Sequence, residues 1–267
     1  MLKIENRHND SASSFLKAIM ILFTVFFSAG PAAAKGFDFS VWDRILNGYV
    51  SSKSIRGISL NAVDYKALKK ASQFKELLGK LENADLSNLK TREERLAFWI
   101  NAYNIFAVKI ILDHYPVESI KDIGSLFKSV WKRPVGSIAG VERTLNDIEH
   151  EILRKMGEPR IHVAIVCASV SCPNLAKSAY SPGKLNEQLD RQMKEFVSNH
   201  SKGFKLDRKE KRVYISPIFK WFSEDFEVKG GVIPFISGYL SNEERKLVNR
   251  SDIKVSYFDY DWGLNER

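Results

Sequence analysis

Cysteine is the strongest nucleophile and the readiest crosslinker among the side chains, and this chain of 267 residues contains two, Cys167 and Cys172. They flank a loop of small residues, Ala168-Ser169-Val170-Ser171, that follows an apolar run from Arg160 to Val166. A thiol acts as a thiolate near neutral pH only beside a base or a positive field. His150 and Arg160 are the candidates for those parts. A loop of small residues can also expose backbone N–H groups, so the amides around Ala168, Ser169 and Ser171 are candidates for an oxyanion hole. A second account stays open beside this one. Two cysteines five positions apart in an oxidising compartment often form a disulfide, and a Cys167–Cys172 bond would close a small structural loop. Four intervening residues differ from the two of a thioredoxin-like motif. The series His162, Cys167, Cys172 offers three zinc ligands at most, at unusual spacings, so no metal and no cofactor is expected.

The segment after Thr144 supplies the next candidates. At 100° per residue, Leu145, Ile148, Ile152, Leu153 and Met156 form one helical face. Glu149 falls within about 40° of its centre and His150 roughly 135° away. A buried carboxylate must be paired, hydrogen-bonded or protonated. The plainer account pairs Glu149 with Arg154 or Arg160; the sharper one makes it an orienting or acid–base group. Read as a strand, Arg160–Val166 is apolar on both sides, which implies cover on both faces. It also sets His162 about 16 Å from Cys167 on the opposite side, a poor partner for it. That leaves His150 as the base. Asn101 and Asn104, one turn apart in a strongly apolar helix, must either pin a neighbouring loop or face a cleft, and Asn101 is an alternative orienter to Glu149.

The elements that must hold these residues read as helix-rich. Thr91-Arg92-Glu93-Glu94 is a capping box that opens a helix over about 95–115, apolar all round and therefore central, and Pro116 ends it. Helices are also predicted over 37–49, 64–81, 144–156, 182–199, 217–222, 231–240 and 243–249. Residues 135–141 read as a hairpin, 204–215 as a second around a charged turn, and 253–258 as a strand. Phe219, Trp221, Phe222 and Phe226 read as core, as do Trp99 and Tyr103. The fold class is α+β: one helix-rich domain around a small mixed or antiparallel sheet.

Residues 1–34 read as a secretory signal peptide, with Lys3, Arg7 and Lys17 before an apolar run from Ala18 to Phe27 and small residues up to a cleavage site after Ala34. The run is too short to cross about 30 Å of hydrocarbon, and no other segment reads as a membrane span. A periplasmic or secreted domain over 35–267 follows. Its net charge of +9 before processing excludes little. Export argues against nucleic acid and leaves anionic envelope polymers or a membrane surface as partners, against the plainer account of a solvated basic face.

Phe98-Trp99-Ile100-Asn101-Ala102-Tyr103-Asn104, the stretch Leu145–Arg154 with Glu149-His150, and the run from Arg160 into Cys167–Pro173 together resemble the proteins grouped as domain of unknown function 547. Tyr180, residues 216–226 and Tyr260-Asp261-Trp262-Gly263-Leu264-Asn265 also fit, so the resemblance covers about 92–265. It implies no particular reaction. In that family's pattern the asparagines, the Glu-His pair and the first cysteine are kept, whereas the second cysteine can be serine, which turns attention to Cys167. A distant likeness to papain-like or transglutaminase-like folds, with histidine before cysteine, is an analogy at the level of fold. Two functions therefore stand open. One is a thiol hydrolase or acyltransferase acting on an amide or ester bond in the envelope, with Cys167, His150 and Glu149 or Asn101 in the catalytic parts. The other is a non-catalytic binding or structural protein stapled by Cys167–Cys172.

Overall fold

A helix that is apolar on every side has to be surrounded, and α4 (Arg92–His114) is the element around which the rest is built. Thr91 and Glu94 cap it reciprocally, as the capping box predicts. It is long and apolar enough to cross a membrane, but 89% of that window is buried inside the protein. The computed structural model describes residues 36–124 and 129–267. The signal peptide expected at 1–34 lies outside them. Before α4 come α1 (Ser40–Tyr49), the hairpin β1 (Val50–Ile55) and β2 (Ile58–Val63), the short α2 (Tyr65–Leu68) and α3 (Ser72–Glu82). The hairpin turns on Arg56-Gly57, both at positive φ (52° and 79°), as a two-residue hairpin turn requires. The single helix predicted over 64–81 is broken between Leu68 and Ser72. The break lets Tyr65 and Leu68 from one piece, and Phe74, Leu77 and Leu81 from the other, reach the core.

Beyond α4, β3 (Pro134–Ile138) and β4 (Val141–Thr144) form a second hairpin. A π-helical segment (Asp147–Leu153), a 3₁₀ turn to Met156 and the four-residue α5 (Ile161–Ala164) follow. Then come α6 (Leu185–Val197), β5 (Phe204–Asp207), β6 (Arg212–Ile215), α7 (Ile218–Trp221), α8 (Val232–Ser237), α9 (Asn242–Val248) and β7 (Lys254–Tyr257). β5 and β6 are antiparallel and β7 joins β6 in parallel, a mixed sheet of three strands. The α+β class holds, with the strands in three small sheets rather than one. The larger apolar core surrounds α4. A second packs Met193, Phe196, Phe204, Phe219 and Phe226 between α6, the three-stranded sheet and the turns after α7.

The strand predicted at 160–166 is absent. The chain turns as α5 and is extended from Ile165 (φ −90°, ψ 147°). An apolar run of seven residues suits a buried strand or a buried helix equally. Here no neighbouring strand meets its backbone. The Asn104 side chain does so instead, donating to Ala164 O at 2.9 Å and accepting from Val166 N at 3.0 Å.

Candidate functional site

Where the two apolar cores meet, a cleft of about 280 Å³ opens beside Cys167. Its polar lining includes Tyr103, Glu149, His150, His162, Cys167, Cys172 and Tyr260, so the structure brings together four predicted site residues and His162, which the strand reading sets aside. Both cysteines are free thiols with sulfur atoms 3.0 Å apart. The Cys167 sulfur is also 3.0 Å from Ser169 Oγ and 3.2 Å from Tyr260 Oη. Burial opposes ionisation of this thiol, but hydrogen bonds from Cys172, Ser169 and Tyr260 outweigh it and hold Cys167 below the ordinary thiol range. Cys172 moves the other way, pushed up by burial and by its neighbour. Of the pair, Cys167 is the thiol that ionises first.

The turn that presents Cys167 is tightly held. Ala168 takes a left-handed φ of 57°, uncommon for a residue with a Cβ. Val170 N donates to Gly263 O and Ser171 N to Asp261 O, while Asn265 N donates to Ala168 O. The loop amides expected to form an oxyanion hole are therefore engaged at Val170 and Ser171, and Ala168 is buried. Ser169 serves the sulfur itself. Beneath the loop, Lys202 is 2% exposed and donates to Cys172 O at 2.6 Å, Asn174 Oδ1 at 2.9 Å and Val170 O at 3.4 Å. Burial lowers its pKa to about 8.

Glu149 owes its place to the π-helical winding, whose i→i+5 spacing brings His150 to the same cleft despite the 135° expected on an α-helix. Thr144 and Asp147 cap the segment reciprocally. Glu149 meets neither predicted arginine. It accepts one hydrogen bond, from Tyr103 Oη at 3.0 Å, and burial raises its pKa to about 7 against that bond. Arg154 instead grips Asp225 with two bonds of 2.7 Å, and Arg160 pairs with Glu158 and Asp190.

The histidines differ in which nitrogen is free. Arg154 Nη1 lies 2.9 Å from His150 Nδ1. A guanidinium only donates, so Nδ1 accepts and the neutral ring carries its proton on Nε2. His150 therefore presents a donor, which does not suit it to be the base predicted from sequence. His162 is the reverse. Its Nε2 is 2.7 Å from Asp225 Oδ2, and Asp225 is held well below the usual carboxylate range, against its own burial, by His162 and Arg154. Nε2 thus carries the proton and leaves a lone pair on Nδ1, which is buried without a hydrogen-bond partner. Phe222 stacks on the ring at 4.0 Å between centroids. Burial lowers the pKa of both histidines. With residues 161–164 helical, the 16 Å of extended chain expected between His162 and Cys167 is absent, and both residues line the cleft.

Asn101 stands apart from the cleft. It exchanges two hydrogen bonds with the backbone of Tyr180, at 2.8 and 2.9 Å, and so pins a loop, whereas Asn104 secures the approach to Cys167. The residues overlooked in sequence lie far along the chain. Asp225 and Tyr260 fall in stretches that fit the family resemblance but carried no sign of a role at the thiol, and Lys202 gave no signal. Trp221, read as core, is 48% exposed and lines the cleft. Among the described residues no group of three His, Cys, Asp or Glu is placed to share a metal ion.

Residues 86–197 match the family model described as protein of unknown function, DUF547. Over that segment the chain is similar to the DUF547 proteins. No curated protein and no solved structure matches the chain. The matched DUF547 segment holds Tyr103, Glu149, His150, His162, Cys167 and Cys172, while Asp225, Trp221 and Tyr260 come from the residues after it.

Proposed function

We propose that this protein is a cysteine-dependent hydrolase or acyltransferase acting on an amide or ester bond in the cell envelope, exported behind a signal peptide at residues 1–34. One observation carries the reading. The Cys167 sulfur, held by Ser169, Cys172 and Tyr260, lines the same cleft as His162, whose Nε2 is engaged by Asp225 and whose Nδ1 has no hydrogen-bond partner. Nucleophile, base and orienting carboxylate are then Cys167, His162 and Asp225, the triad logic with the base replaced from His150.

In the reaction, His162 Nδ1 takes the thiol proton and the Cys167 sulfur attacks the carbonyl carbon. The C–S bond forms, the C–O or C–N bond breaks, and the departing alcohol or amine takes the proton from His162. Water, or an acceptor hydroxyl or amine, then attacks the thioester and gives its proton to Nδ1. The C–S bond breaks and the proton returns to sulfur. Asp225 keeps Nε2–H in place and stabilises the imidazolium. His150 Nε2–H and the protonated form of Glu149 are the donors available to the carbonyl oxygen.

The test is a burst assay with p-nitrophenyl acetate, read as an acetyl adduct by intact mass. The adduct is expected on Cys167 in the wild type and absent in Cys167→Ser; an equal burst in that variant overturns the reading. The sulfur separation of 3.0 Å favours one second reading, a non-catalytic protein stapled by Cys167–Cys172. It predicts no alkylation before reduction and no burst before or after it.

A further inference from the structure

The cleft beside Cys167 is defined as much by its charges as by its shape. None of the described lining residues is lysine or arginine. The nearest guanidinium, Arg154, is engaged on three sides by Asp225 and His150. At the rim, Lys121 lies 4.3 Å over the Trp262 ring. Both histidines are disposed to stay neutral, and Glu149 and Cys167 each bring a group that ionises near neutrality. A carboxylate or phosphate entering here would lose water and find no lysine or arginine among the described lining residues to pair with, a cost of several kcal/mol for an unpaired buried charge.

The remaining lining is apolar. Ile165, Val166 and Ile218 lie beside the thiol, and Trp131, Trp221 and Trp262 form an aromatic wall. Trp221 stacks on Trp262 at 5.7 Å and 18°, and its ring is 4.9 Å from that of Tyr260, the residue that bonds the Cys167 sulfur. A tryptophan left nearly half exposed at the mouth of a cleft is surface available to a ligand. The volume, about 280 Å³, compares with the roughly 150 Å³ cavity that takes up a benzene.

We propose that the cleft accepts an uncharged, apolar acyl group of about ten heavy atoms, scaled from that benzene cavity, with Trp221 as its specificity-determining residue. This rests on the proposed function for the words "acyl group" but not for the binding. It also sets the anionic envelope polymers suggested by net charge outside this cleft.

The experiment separates the two. Octanamide and octanoate are titrated at pH 8 into the full chain carrying Cys167→Ala, with tryptophan fluorescence as readout and Cys167→Ser as a second background if alanine loosens the loop. Octanamide is expected to bind, and octanoate at least tenfold more weakly; equal binding, or none, overturns the proposal whether or not any ester is turned over. In parallel, p-nitrophenyl esters from acetate to octanoate are compared on the wild type. Each buried methylene is expected to raise kcat/KM by up to about fourfold, and Trp221→Ala to reduce the octanoate-to-acetate ratio. Binding without turnover refutes the thiol enzyme and leaves the acyl-sized site standing. Turnover with no chain-length preference does the reverse.

Discussion

Two glutamates nine residues apart receive opposite treatment. Glu158, its side chain 11% exposed, meets Arg160 through Oε1 at 2.8 Å and Oε2 at 2.7 Å, and the same guanidinium reaches Asp190 and Asn186. Burial would raise its pKa, but Arg160 outweighs that and the carboxylate stays ionised. Glu149, 6% exposed, has Tyr103 alone and rises to about 7. The first is a closed network in which every charge has its partner, and such a network holds structure. The second is left short of partners, in a cleft, beside a thiol that is itself held ready. A carboxyl kept near neutrality at a cost to stability is the mark of a site.

Breaking the closed network should produce the largest effect. Arg160→Met leaves Glu158 and Asp190 without their cation and should cost about 3 kcal/mol in urea unfolding, with the alkylation rate of Cys167 in the folded protein unchanged. A loss of thiol reactivity at full stability would reverse the roles given to the two regions.

Glu149→Gln should act in the opposite direction, by up to about 3 kcal/mol from a shift of 4.5 to about 7. The sign follows from the raised pKa. Between these values the folded state holds the proton more tightly than the unfolded state, so wild-type stability falls as pH rises and levels off above 7. The glutamine variant should match the wild type near pH 4 and exceed it at pH 8 in melting temperature. A constant gap across that range would show that Glu149 does not titrate there.

Much of the helical frame could be read from local sequence, since caps and periodicity act within a few residues. The Glu158–Arg160–Asp190 network could not, because the sequence offers Arg160 as a partner for Glu149 or a field for Cys167. Glu149 was also legible, because a carboxyl near an apolar helical face announces burial. The cleft was less so. Asn104 accepts from Val166, 62 residues away, and replaces a strand's ladder with one side chain; the pattern of 160–166 carries no trace of this. That error placed His162 on the wrong side of the chain. The π-helical winding is likewise invisible to a 100° wheel. Asp225 and Tyr260 join the site 63 and 93 residues from their partners, and only the fold could bring them there.

Two smaller perturbations sharpen the picture of the cleft. Lys202→Met removes the cation that ties Cys172 O, Val170 O and Asn174 together, and should cost about 2 kcal/mol through unsatisfied acceptors. It should also raise the alkylation midpoint of Cys167, which Lys202→Arg should partly restore. Tyr260→Phe deletes one hydrogen bond to the sulfur and should raise that midpoint by about one pH unit, with little change in melting temperature. If both variants left the midpoint in place, the reactivity of Cys167 would have to come from Ser169 and Cys172 alone.

The Tyr260 contact also orders events in time. Cys167 leaves the ribosome 93 residues ahead of Tyr260, and the strand-like contacts of Gly263 and Asn265 with its loop come later still. Until they form, the thiol is an ordinary one, slow to react with electrophiles or with passing disulfides. The hazard of carrying a reactive sulfur through synthesis is thereby deferred until residues 260–265 fold down on the loop.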